Sequence, residues 1–275
     1  MVYRVAGLSP MTIPLIQVDA FTDTAYRGNP AAVCVLPQAL PDRWMQQVAQ
    51  EMNLSETAFV YPEADCYRLR WFTPTVEVDL CGHATLATSH VLWTEGYLNP
   101  NQVAKFHTRS GVLTASRRAN WIELNFPTNP SQAIAVPVGL AEALGAPIKA
   151  VVENSLGYLV ELDSAARVKA LKPDFIALQH YPVHGVIVTS RSQAPYDFVS
   201  RFFAPAIGIN EDPVTGSAHC CLSPYWRDEL GKTTFLAYQA SPRGGVVQVN
   251  DEGERVRLSG QAVTVLRGVL LNVAV

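Results

Sequence analysis

Charged residues are scarce in this 275-residue chain. Asp, Glu, Lys and Arg make up 16% of it against 48% hydrophobic residues, and the net charge is −3. That balance excludes a disordered chain, and the absence of a basic stripe excludes a nucleic-acid surface. Long apolar runs are missing too. Runs such as Ile134–Val138 and Val263–Leu266 fall far short of bilayer length, so no membrane span is expected. The opening MVYRVAGLSP has one Arg and no apolar core of signal-peptide length, and Met11 reads as an alternative start behind a ten-residue extension. Cysteine is sparse and forms no CxxC pair: Cys34, Cys66, Cys81, Cys220 and Cys221 are an odd set, which favours reduced thiols and a cytoplasmic location. The six histidines show no HExxH or similar spacing, so no metal is expected. No P-loop or dinucleotide fingerprint is present, and Gly244-Gly245 reads as a hairpin turn, not a phosphate cradle.

What is present is a duplication. Cys81-Gly82-His83-Ala84-Thr85-Leu86-Ala87-Thr88-Ser89 and Thr215-Gly216-Ser217-Ala218-His219-Cys220-Cys221-Leu222-Ser223 share Gly, Ala and Ser in register, 134 positions apart. Glu77 and Glu211 stand four residues before each copy. The offset is about half the chain and predicts two similar halves, each with a glycine turn opening a helix. Such a turn presents free backbone N–H groups and the positive end of a helix dipole. Two of them across a cleft would hold a carboxylate or a developing enolate.

The rest of the pattern agrees. Strands are expected at Ile13–Asp19, Ala31–Leu36, Thr57–Tyr61, Tyr67–Thr73, Val103–Thr108, Val112–Ser116 and Trp121–Phe126, with a helix at Pro41–Met52 and an apolar one from His83 to about Thr94. Pro127–Pro130 is the best seam. Beyond it come short helices at Leu140–Leu144 and Ala165–Leu171 and strands at Gly157–Leu162, Val186–Thr189 and Asp197–Phe203. A second apolar helix spans Ser217–Leu230, with Pro224 placed to bend it, and four strands end the chain. A helix apolar all round is a buried helix, so each half reads as strands wrapped around one.

Three ordered blocks carry a family resemblance: Asn53-Leu54-Ser55-Glu56-Thr57-Ala58-Phe59, Phe72-Thr73-Pro74 through Cys81-Gly82-His83-Ala84-Thr85, and Glu211-Asp212-Pro213-Val214-Thr215-Gly216-Ser217-Ala218-His219. Together they resemble the phenazine-biosynthesis-like, PhzF-type isomerases, which are similar in fold to diaminopimelate epimerase. The resemblance implies an α+β fold of two pseudo-symmetric halves, each a barrel-like, mostly antiparallel sheet around a central helix. The site lies between them and the last strand returns to the first half, giving residues 1–126 plus 263–275 and residues 127–262. It also implies a homodimer and a cofactor-independent isomerase acting on a small carboxylated molecule.

By this resemblance Glu56 matches the catalytic glutamate. Moving a proton on carbon beside a carboxylate needs one group that takes it and returns it, and a half-buried carboxyl suits that task; Asn53 and Glu56 also fit a helix capping box. His83 matches the active-site histidine, as proton donor or substrate ligand. Asp212 and Ser217 match an aspartate and a serine at the second turn, where each could equally cap local structure. Gly82 and Gly216 offer backbone N–H groups to substrate. Asn29, in Gly28-Asn29-Pro30, and Thr73 are further substrate-binding candidates, and Arg201 is a candidate carboxylate partner. Cys81 stands where the epimerase resemblance puts a catalytic thiol, but its counterpart is Thr215, whose hydroxyl cannot replace a thiolate. Cys81 therefore reads as a buried small residue, with a cysteine-assisted racemase or a non-catalytic binding protein as rival readings.

Overall fold

The structure is a computed structural model describing residues 12–271. The ten-residue extension and the last residues of the expected returning strand, 272–275, lie outside the described residues. The first half runs β1 (Ile13–Ala20), β2 (Asn29–Val35), α1 (Asp42–Met52), β3 (Glu56–Glu63), β4 (Cys66–Phe72), β5 (Glu77–Val78), α2 (Gly82–Thr94), β6 (Ala104–Thr108), β7 (Gly111–Arg118) and β8 (Trp121–Pro127). The second runs β9 (Gln132–Ala133), α3 (Leu140–Leu144), β10 (Ala150–Asn154), β11 (Gly157–Glu161), α4 (Ala165–Ala170), α5 (Phe175–Leu178), β12 (Gly185–Arg191), β13 (Phe198–Ala204) and β14 (Ile209–Asp212). It continues through α6 (Gly216–Leu230), β15 (Thr234–Gln239), β16 (Gly245–Asp251) and β17 (Arg255–Gly260), and β18 (Ala262–Leu270) follows.

The fold is mixed α+β, and its strand pairing repeats. β2–β3 and β11–β12 are parallel; β3–β4 and β12–β13 are antiparallel. β4–β6 and β13–β15 are parallel again, and both halves close with an antiparallel meander. Even the short pairings correspond, Trp71 opposite Val78 and Phe202 opposite Asp212. β18 leaves the second half and lies antiparallel to β1, from Ile13 opposite Leu270 to Ala20 opposite Ala262. β8 pairs with β17, so one sheet system joins the halves.

Helix α2 is buried on nearly every side. Its polar residues fit there because each bonds back one turn: Thr85 Oγ1 donates to the Cys81 carbonyl, Thr88 Oγ1 to Ala84 and Ser89 Oγ to Thr85. A buried hydroxyl satisfied this way costs the core little. Helix α6 runs unbroken through Pro224. Proline has no N–H to give the carbonyl four residues back, and that carbonyl, of Cys220, instead accepts from the Asn129 backbone N–H at 3.1 Å. The seam between the halves is thereby tied to the second central helix.

Five elements are absent from the sequence reading: β5, β9, β10, β14 and α5. Three of these strands have only two to four residues, too few for alternation to register. The four-residue α5 is set by its cap, Asp174, which accepts from the Ile176 and Ala177 N–H groups. Among the described residues no helix is long and apolar enough to cross a membrane.

Candidate active site

The two glycine turns meet. A Cβ built on Gly82 would sit 3.2 Å from the Gly216 Cα, and one on Gly216 would sit 3.3 Å from the Gly82 Cα. Only glycine at both places lets the helix N-termini approach this closely. The residues preceding them, Cys81 and Thr215, are extended and cap neither helix with a side-chain hydrogen bond. The first N–H groups of both helices are therefore free for a ligand. Beside them opens a cavity of about 330 Å³, lined by Glu56, Leu80, Cys81, Gly82, His83, Phe126, Pro127, Thr128, Asn129, Ser155, Asp212, Thr215, Gly216, Ser217 and Cys220.

Glu56 enters at the start of β3 and His83 from the first turn of α2. Glu56 Oε2 lies 3.2 Å from His83 Nε2; the two are close but not aligned as a hydrogen bond, and neither atom has another partner. Burial pushes the Glu56 carboxyl up to about 8, with the nearby Asp212 charge adding to it. Burial holds His83 down to about 3, so the ring is neutral. Asn29 Nδ2 reaches His83 Nδ1 at 3.2 Å. That amide nitrogen has two N–H groups for three acceptors, Asp212 Oδ1, the Val214 carbonyl and His83 Nδ1.

Asp212 comes from the second half, at the end of β14. Its Oδ1 accepts from Asn29 Nδ2 at 2.8 Å and its Oδ2 from Thr215 Oγ1 at 2.5 Å. Burial raises it to about 6 despite these bonds. At neutral pH Asp212 is mostly ionised and Glu56 mostly protonated, two carboxyls held apart by environment.

Of the sequence-predicted residues, Glu56, His83, Asp212, Ser217, Gly82 and Gly216 border the one cavity. Asn29 lies behind it, fully buried, and its amide donates to Asp212 and to the Val214 carbonyl. It ties β2 to the second turn, with its N–H groups committed to protein acceptors. Gly28 makes this possible: it has φ +63°, and a Cβ there would collide with the Ala20 carbonyl. Thr73 and Arg201 do not border the cavity. Thr73 Oγ1 organises its own turn, donating to the Val76 carbonyl and accepting from the Val76 N–H. The expectation for Arg201 is corrected: its guanidinium is forked onto Glu211 at 2.7 Å twice and donates to the Leu171 carbonyl at 2.8 Å. Arg70 grips Glu77 in the same way in the first half, so the pair is a repeated structural clamp.

Cys81 Sγ lies 3.5 Å from His83 Nδ1, and burial holds its thiol well above the usual range. Glu56, Cys81 and His83 do bring three ligand-type atoms together, but burial and the neighbouring carboxyls hold the proton on the Cys81 thiol, which disfavours the thiolate a metal needs. Sequence reasoning missed Gln239, Thr128, Asn129 and Ser155. Gln239 is fully buried and braces the second turn, accepting from the Thr215 N–H and donating to the Asp212 carbonyl. A lone Gln in a strand carries no signal of this. Thr128 and Asn129 lie in the stretch read only as a seam, and a seam between halves that share a cleft is also its wall.

Residues 18–268 match the model of the family described as phenazine biosynthesis-like protein. This chain belongs to that family. An uncharacterised isomerase of Halalkalibacterium halodurans is 56% identical over 263 residues, covering 95% of this chain and 99% of the relative. A crystal structure of a PhzF-family phenazine biosynthesis protein from Enterococcus faecalis superposes with TM-score 0.91 at 42% identity, covering 94% of this chain and 99% of that one. The structure of a predicted epimerase from Pseudomonas aeruginosa, at 22% identity and TM-score 0.77, shares the fold over 94% of this chain and 99% of that one. The protein is thus an enzyme of the isomerase class.

Proposed function

We propose that this PhzF-family enzyme moves a proton on a small carboxylated substrate, with Glu56 taking the proton from carbon and returning it. The observation that carries this is the convergence of Glu56, His83 and Asp212 beside two uncapped helix N-termini that touch. The N–H groups of Gly82, His83, Gly216 and Ser217 hold the substrate carboxylate and the enolate that develops from it. Neutral His83 hydrogen-bonds the ionised Glu56 or the developing charge. Asp212, braced by Asn29 and Thr215, keeps the Glu56 carboxyl basic enough to accept a proton from carbon. Acid–base groups, anion holder and cavity all come from the chain, so the chemistry needs no cofactor.

The test is solvent-deuterium incorporation, screened by mass spectrometry over small cyclic carboxylic acids and amino acids. The wild-type protein should label a carbon position in at least one compound. Glu56→Gln should still bind that compound and fail to label it. Near-normal labelling by folded Glu56→Gln would overturn the assignment. A cysteine-assisted racemase gains no support, because Thr215, opposite Cys81, spends its hydroxyl on Asp212. The enzyme is further proposed to work as a homodimer in the cytoplasm. Among the described residues β18 pairs only with β1, so its other edge is unpaired, and the strand carries exposed Leu266 and Val269. Sedimentation at micromolar protein checks the dimer.

A further inference from the structure

On the opposite side of β4 from the buried α2 lies a second cluster that the proposed reaction does not use. Glu63 and Cys66 face each other across the tip of the β3–β4 hairpin, and Arg68 stands opposite His107 in the parallel β4–β6 pairing. Directly paired residues share a sheet face, as do residues two apart on one strand. The register therefore gathers Glu63, Cys66, Arg68 and His107 on one face. Glu63 Oε2, Cys66 Sγ and His107 Nδ1 all lie within 4.8 Å of one another. His107 Nδ1 is 3.0 Å from Glu63 Oε2, and Arg68 Nη2 donates to the other carboxylate oxygen at 3.1 Å.

We propose that Glu63, Cys66 and His107 form a binding site for a divalent transition-metal ion of the zinc class. The donor set decides the class. One sulfur, one imidazole nitrogen and one carboxylate oxygen suit Zn²⁺ and its neighbours, whereas Mg²⁺ and Ca²⁺ take oxygen alone. A tetrahedral ion with metal–ligand bonds of about 2.0–2.3 Å needs ligand atoms about 3.3–3.8 Å apart, so small side-chain rotations close the site. Arg68 on the second oxygen is the kind of partner that orients a ligating carboxylate and leaves Oε2 for the ion. Cys66 Sγ now donates to the Glu63 carbonyl at 3.2 Å; binding releases that proton to solvent and makes a metal–thiolate bond. The Glu63 and His107 side chains are 34% and 40% exposed, which gives the ion a way in and leaves its fourth position to water. Bound there, the ion would clip the hairpin tip to β6. Sequence spacing hides the site, because β6 supplies its third ligand from 41 positions beyond Cys66.

The test uses the full chain after dialysis against chelator, titrated with Co²⁺ and then Zn²⁺. One equivalent of Co²⁺ should produce a near-ultraviolet thiolate-to-cobalt band, Zn²⁺ should displace it, and Zn²⁺ should raise the melting temperature. Cys66→Ser should abolish the band. His107→Ala should weaken Co²⁺ binding at least tenfold, and it keeps the test valid if Cys66→Ser fails to fold. Cys81→Ser separates this cluster from the Glu56, Cys81 and His83 group and should leave the band intact. Absence of the band at millimolar Co²⁺, or a band lost in Cys81→Ser and kept in Cys66→Ser, would overturn the proposal. So would wild-type affinity in His107→Ala.

Discussion

Replacing Glu56 with Gln should disable the enzyme and stabilise its fold, by an amount that depends on pH in a defined way. The carboxyl is raised from an ordinary 4.5 to about 8, mainly by burial. A group whose folded value lies above its unfolded value costs nothing below the unfolded value, where both states are protonated. The cost grows as pH rises and levels off once pH passes the folded value. At pH 7 the unfolded chain has Glu56 ionised while the folded chain keeps it largely protonated. At about 1.4 kcal/mol per pH unit, this makes ordinary Glu56 cost about 3 kcal/mol at neutrality and about 5 kcal/mol above pH 8. The side chain is only 14% exposed, so solvent screening removes little of this. Gln carries no ionisation cost. The variant should match the wild type near pH 4.5, exceed it by about 3 kcal/mol at pH 7, and level off at a margin of about 5 kcal/mol above pH 8. In a chain of this size that margin at pH 7 is about 6–12 °C in melting temperature. Urea denaturation of both proteins across that pH range measures the difference directly, and deuterium labelling should fall about 10²–10⁴-fold in the variant. A stability difference that is flat with pH, or a variant weaker at every pH, would refute the desolvated carboxyl.

Asp212→Asn removes a charge that helps raise Glu56, so the limb on which kcat/KM rises with pH should move to lower pH; a limb that stays put counts against the coupling of the two carboxyls. Gly216→Ala puts a methyl 3.3 Å from the Gly82 Cα; prising the turns apart should cost about 1–3 kcal/mol in urea denaturation and lower kcat/KM by about tenfold or more. Cys81→Ser should keep near-normal deuterium labelling, because a thiol held well above its usual range by burial is a poor base; loss of labelling would revive the cysteine-assisted reading.

The order of strands and helices was legible because alternation and all-round apolar helices leave long, periodic marks, and the two turns because glycine beside polar residues repeats in register. What stayed hidden depends on contacts far apart in sequence. Asn29 looked like a ligand for substrate, and its partner Asp212 lies 183 residues away. Arg201 reads as a carboxylate partner for substrate, yet its carboxylate is Glu211, and β14, the short strand that turns Glu211 back onto it, has too few residues to read. Gln239 holds the second turn through bonds that no local pattern announces. The Pro224 signal was read as a bend, while its consequence is an open Cys220 carbonyl that takes the Asn129 N–H from the seam.

The pairing register turns the duplication into a correspondence of residues, and it bears on stereochemistry. Arg70 and Arg201, Glu77 and Glu211, and Gly82 and Gly216 match in kind, and these are the members that hold the frame. The chemical members do not match. Asp212 occupies the register position of Val78. Ala58 opposite Trp71 corresponds to Ile187 opposite Phe202, so Glu56, two residues before Ala58, corresponds to Gly185. A side chain at Gly185 would strike the Phe202 ring, so the second half has no room for an equivalent glutamate. A racemase needs comparable acid–base groups on both faces of one carbon. This cavity has one carboxyl from each half at inequivalent positions, with His83 opposed by Ser217. Such a site suits a single group that removes a proton and returns it to the same face. Transfer should therefore be suprafacial. With a substrate deuterated stereospecifically at the reacting carbon, part of the label should reappear on the same face of the product in ordinary water. Full loss of the label together with inversion at one carbon would instead require two bases, and the single-glutamate shuttle would fall.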